Sequence, residues 1–209
     1  LNLQPRAGPE LAFPPARRRR HNDAMTHSLH SRIAPLALTL LCAASACQSP
    51  AHTLREGPLE ARSIGAIERV HVAGEIYLAT QPRAADFELL AKSGVKTVID
   101  LRAPGELKDF DEPAHVRSLG LRYVNVPFSK PEELTDAHFD TVLAELRRPS
   151  SGGLVLHCAS ANRVGPMWIA HRVLDQGAEF EVALAEATRI GMRNAAYGER
   201  AKAYIAARR

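Results

Sequence analysis

The chain has 209 residues, long enough for one domain with a full hydrophobic core. Its formal charge of +4 is not spread evenly: residues 1–46 hold six of the 27 basic residues and two of the 23 acidic ones, which leaves 21 of each sign in the remainder. A neutral body excludes the broad basic face that nucleic-acid modules carry, so no nucleic-acid partner is expected.

In chain order, residues 1–24 contain no Met and are rich in Pro and Arg, which marks an untranslated or disordered leader ahead of Met25. A twin-arginine signal at Arg17–Arg20 fits poorly, because those arginines lie far from any apolar run. Residues 25–46 read as a signal peptide: Arg32 and nearby His residues precede an apolar run from Ile33 to Ala46. That run is too short to span a bilayer comfortably. It ends in "ASAC", Ala44 to Cys47, which resembles the lipobox of bacterial lipoproteins. The resemblance implies cleavage before Cys47, lipidation of Cys47, and an exported, periplasmic, membrane-anchored protein. A plain secretory signal and an uncleaved anchor are the alternatives. With Cys42 removed and Cys47 lipidated, Cys158 is left as a lone thiol in an oxidising compartment, either inert or held for chemistry.

Residues 47–69 are polar and interrupted by Pro50, Gly57, Pro58 and Gly65, as expected of a tether. The folded domain is expected over 70–209. Strands are predicted at Val70–Ala73 and Ile76–Ala79. A helix follows Pro82 and stops at Gly94, and Val95–Leu101 is a buried strand. A short helix over Ala114–Leu119 precedes a strand at Leu121–Val126. Thr135 caps a helix that runs to about Arg147. "GLVLHC" is the next strand, and helices are expected at Val164–Asp175, Glu179–Arg189 and from about Glu199 to Ala207. Strand–helix alternation with short loops gives an α/β, three-layer fold with a central, mainly parallel sheet flanked by helices.

"VLHCASANRVGPM", Val155 to Met167, is the stretch that carries chemistry. It places Cys158 where a strand ends and a helix begins, the position at which α/β sheets bind ligands. Backbone N–H groups of a tight loop converge on an anion. The helix start adds a positive dipole end. Such surroundings favour a thiolate. Arg163 offers a planar fork for two oxygens of a phosphate. Pro166 falls in the first helical turn, where its missing N–H costs nothing, and Gly165 permits close packing there.

The His-Cys pair, short loop and Arg at a helix start resemble the signature of cysteine-dependent tyrosine and dual-specificity phosphatases. "HCASANRVG" is closest to a bacterial branch of phosphatase-like proteins, which also shows segments like Gly74–Pro82 and Gly94–Arg102. The resemblance spans roughly Val70 to Met192. It implies Cys158 as nucleophile, Arg163 as substrate clamp, and phosphate-binding N–H groups from Ala159, Ser160, Ala161 and Asn162. His157 would orient the loop. Asp100 and Arg102 end a strand on the sheet edge that carries Cys158, where the readings are a brace for the loop or a surface ion pair or turn cap. The implied partner is a phosphorylated substrate.

The chain departs from that pattern in four ways. Four residues separate Cys158 from Arg163, where the major signature has five. Ala161 stands where a glycine is usual, and Val164 where a hydroxyl residue is usual. The loop expected to supply an Asp as general acid reads "VPFSKPEEL"; Glu132, Glu133 and Asp136 are the nearest candidates, with Asp109 and Asp111 in another loop. The six-residue loop, Cys158 to Arg163, also resembles that of rhodanese-type sulfurtransferases, which would carry a Cys158 persulfide. A non-catalytic phospho-ligand binder is the third reading. Trp168 is expected in the core, and His171 in the core or on the surface. The absence of metal-ligand spacing and of any Walker or dinucleotide motif points to no metal and no cofactor.

Overall fold

The computed structural model describes residues 57–106, 109–148 and 152–209. The leader, the signal segment, Cys47 and the first part of the expected tether lie outside the described residues. The elements, in order, are β1 (Glu60–Arg62), β2 (Val70–Ala73), β3 (Ile76–Ala79), α1 (Ala84–Lys92), β4 (Val95–Asp100), α2 (Glu112–Ser118) and β5 (Arg122–Asn125). A 3-10 turn (Pro131–Glu133), α3 (Asp136–Arg147), β6 (Gly153–His157), α4 (Val164–Asp175), α5 (Phe180–Ile190) and α6 (Ala195–Ala206) complete the domain.

One sheet runs in the order β1-β2-β3-β6-β4-β5. The β3–β6, β6–β4 and β4–β5 pairs are parallel, and β1–β2 and β2–β3 are antiparallel. The sheet is thus mixed and mostly parallel. Strand β6 is buried along its whole length, as its unbroken apolar run requires. Its side chains alternate between two cores. Val155 joins Phe87, Leu90, Val98 and Val116 under α1 and α2. Leu154, Leu156 and Cys158 join Phe139, Leu143, Trp168 and Ile190 under α3 to α6.

Three expectations need correction. Residues 57–69 are not a bare tether. Glu60–Arg62 pairs antiparallel with β2, Ile67 is buried, and Leu59 packs on the core. The strand escapes pattern recognition because all three residues are exposed and two are charged, which suits a protected sheet edge. Helix α2 starts at Glu112 rather than Ala114, since Asp111 accepts the Ala114 N–H at 3.0 Å and Pro113 occupies the first turn. Helix α6 starts at Ala195 rather than near Glu199, because Asn194 caps it through the Ala196 N–H at 3.0 Å.

Candidate active site

Cys158 directly follows β6 and precedes the loop that leads into α4. Register fixes its surroundings. His157 pairs with Ala79 on one side and Asp100 on the other, and Leu101 N donates to His157 O at 3.0 Å. The thiol is fully buried at the floor of the loop, while Ala159 and Ser160 form an exposed crest. Ala161 turns the chain with φ of 64°, and no other described non-glycine residue has positive φ. The left-handed turn that glycine would make freely is here made by alanine, at a cost of about 1–2 kcal/mol. Asn162 pins the loop outward, its Oδ1 accepting Arg193 N at 2.8 Å. Gly165 allows α4 to seat against the chain at Met192: an added Cβ would lie 2.6 Å from Met192 Cβ.

Arg163 is 8% exposed, and its guanidinium is held from two loops, those after β4 and β5. Nη1 donates to Leu101 O (3.2 Å), Phe128 O (2.8 Å) and Glu106 Oε1 (2.7 Å), and Nη2 donates to Glu106 Oε2 (2.6 Å). Burial alone would lower the Arg163 pKa. The Glu106 bond and the charge of Cys158 outweigh it, so the pKa is raised and the group stays a cation. Glu106 is held below the usual carboxylate range, chiefly by the Arg163 hydrogen bond.

On the other face of β6, His157 enters a buried polar cluster. Its ring lies 6.0 Å from that of Phe87. Asp100 accepts from Arg102 N and Nε (both 2.9 Å), Arg102 Nη2 (2.7 Å) and Tyr123 Oη (2.7 Å). Burial would raise the Asp100 pKa, but the Arg102 bond, then the His157 charge and the Tyr123 bond, hold it below the usual range. Arg102 also donates to Glu112 Oε2 at 2.7 Å. Gln81 joins cluster to loop, with Nε2 donating to Glu112 Oε2 (2.9 Å) and its own N–H to Ala159 O (3.2 Å). His157 Nε2 lies 3.1 Å from Glu112 Oε1 but off-line for a hydrogen bond. Asp100, Glu112 and His157 bring three possible ligand atoms within 4.8 Å of one another. Arg102 stands between the two carboxylates and pairs with both at 2.7 Å.

The acid candidates separate by their partners. Asp136 is bound to Arg200 (3.3 Å) and Arg208 (3.2 Å), which turns it toward α6. Glu133 accepts Ser129 N at 2.8 Å and lies 3.8 Å from Lys130. Glu132 is exposed and has no side-chain partner among the described residues. Both Glu132 and Glu133 act electrostatically on Tyr197, as do Cys158 and Arg163. Burial, the leading cause, pushes the Tyr197 hydroxyl up to about 12, and it donates to Ser129 O at 3.2 Å. Tyr197 therefore ties α6 to the "SKPEE" loop beside Cys158. Asp111 is used as the α2 cap, and Asp109 is exposed.

A family model described as "Tyrosine phosphatase family" matches residues 78–148, a span that ends before Cys158. TpbA of P. aeruginosa, solved in complex with pTyr, is 25% identical, with a TM-score of 0.54 over 76% of this chain and 90% of that one. Part of this chain matches a tyrosine phosphatase family, and its fold is phosphatase-like. The phosphatase-like fold is also shared with Tk-PTP in its active form (17% identity, TM-score 0.57, 64% of this chain and 92% of that one) and the Siw14 catalytic core (19%, 0.57, 68% and 87%). No curated protein sequence matches the phosphatase-like chain.

Several residues of the phosphatase-like domain were not singled out from sequence. Glu106, Gln81, Glu112 and Tyr197 reach the loop from four separate segments. Glu106 alone had a signal: an acid in the loop that follows the predicted Val95–Leu101 strand.

Proposed function

We propose that the protein hydrolyses phosphomonoesters through a phosphocysteine on Cys158. One observation carries the reading: a buried thiol follows the central parallel strand, and five residues on a buried guanidinium opens the next helix, with a left-handed turn between them. The likeness to a phosphatase solved with pTyr supports a phosphorylated substrate, with a phosphotyrosine-type ester as the first choice.

In the reaction proposed, the Cys158 thiolate bonds to phosphorus as the ester P–O bond breaks. The Arg163 fork and the loop N–H groups from Ala159 to Asn162 hold the non-bridging oxygens. Glu132, the acid of the "SKPEE" loop with no side-chain partner among the described residues, gives its proton to the leaving oxygen. Water then attacks phosphorus, Glu132 takes its proton, and the S–P bond breaks to release inorganic phosphate. With Val164 at the helix start, no hydroxyl assists the departing thiolate. Glu132→Gln is expected to lower kcat by about 10²-fold, most strongly for esters with poor leaving groups. An equal loss across leaving groups would move the acid's role elsewhere.

The signal pattern of residues 25–46 supports export, with lipid attached at Cys47 and a periplasmic, membrane-anchored location. Labelling with radioactive palmitate in a bacterial host, lost on Cys47→Ala, is the outcome this assignment predicts. Unchanged labelling would exclude it.

A further inference from the structure

Arg69 precedes β2 at the sheet edge that carries Cys158. Thr80, which follows β3, fixes it there: Thr80 N donates to Arg69 O at 3.0 Å, and Thr80 Oγ1 accepts Arg69 N at 3.1 Å. The next residue, Gln81, reaches Ala159 of the loop. The Arg69 side chain then crosses Gly191. A Cβ on Gly191 would lie 2.7 Å from Arg69 Nη1, 3.0 Å from Ser160 O and 3.1 Å from Ala161 Cβ. The guanidinium and the crest of the loop therefore share one bare Cα.

A second cation stands on the same rim. Arg193 N donates to Asn162 Oδ1, and the Arg193 side chain is exposed with no acidic partner among the described residues. Among the acids of the described residues only Glu68 approaches Arg69, at 3.9 Å with its own side chain 79% exposed, which is too distant and too solvated to neutralise it. His71 registers the local field: burial, then the charges of Arg189 and Arg69, lower its pKa. This positive rim sits on a body that carries 21 basic and 21 acidic residues in all.

We propose that Arg69 and Arg193 form a second anion site at the rim of the Cys158 loop, and that the preferred substrate carries a second phosphate beside the one cleaved. The proposal rests on the phosphatase reading for the first phosphate. Vicinal phosphates are the shared chemistry, whether on a small molecule or on a peptide.

The test compares the full chain with Arg69→Gln, Arg193→Gln and Arg69→Lys. Substrates are phenyl phosphate, 1,2-phenylene bisphosphate, and a tyrosine peptide with one phosphate or two adjacent ones. Binding of the same four compounds to Cys158→Ser, with and without Arg69→Gln, is read by calorimetry. Expected is a preference of about tenfold or more for the bisphosphate of one pair. That ratio should collapse in both Gln variants and return in Arg69→Lys. The pair that shows it identifies the source. Equal kcat/KM within both pairs, or a ratio that the Gln variants leave in place, overturns the proposal while leaving the phosphatase reading standing. Absence of turnover with an Arg69-dependent binding ratio in Cys158→Ser would instead retain the second site and remove the hydrolysis.

Discussion

Asp100 illustrates how much a single buried residue carries here. It accepts four hydrogen bonds at 3% exposure, three of them from Arg102. Asp100→Asn leaves Arg102 buried against Glu112 alone, and the expected loss is about 3–5 kcal/mol in denaturant unfolding. The pH dependence follows from sign. The folded carboxyl is held below its unfolded value, so its contribution is fully present above about pH 4 and is lost as pH falls through the folded pKa. The wild type should therefore weaken over that acid range, and Asp100→Asn should show a flatter slope there. Ala161 offers a second test. Relief of a left-handed alanine gains about 1–2 kcal/mol, against about 0.8 kcal/mol for the buried methyl. Ala161→Gly should be more stable than wild type by up to about 1 kcal/mol, measured by thermal unfolding. A net loss would mean that the methyl packs better than its backbone is strained.

Individual elements explain what could and could not be read from the chain alone. The β6–loop–α4 unit was legible because its signals are local: an apolar run, a Cys, a forked cation and a Pro within a helical turn. Its neighbours were not, because Gln81, Glu106, Glu112 and Tyr197 reach it only through tertiary packing from distant segments. Strand β1 was invisible for the opposite reason, since an exposed edge strand has no apolar alternation to detect. The role assigned to Gly165 from sequence does match its close approach to Met192. Gly165→Ala should force α4 away from that segment, costing about 1–3 kcal/mol. Phosphate affinity should fall with it, because Asn162 is bound to the same stretch. Retained affinity in a destabilised variant would separate loop geometry from helix seating.

For the molecule as a whole, the fold and its phosphatase likeness stand on the sheet order and the comparisons, while the chemistry stands on Cys158 and Arg163. The decisive measurement is phosphate release from p-nitrophenyl phosphate by the full chain, beside Cys158→Ser, Arg163→Ala and Arg163→Lys. Thiocyanate formation from thiosulfate and cyanide is followed in parallel. Turnover should be lost with Cys158→Ser and Arg163→Ala. In Arg163→Lys it should fall by about 10²-fold or more, because the charge remains but the fork does not. Thiocyanate formation that requires Cys158, without phosphate release, would contradict the account and make the loop a persulfide carrier.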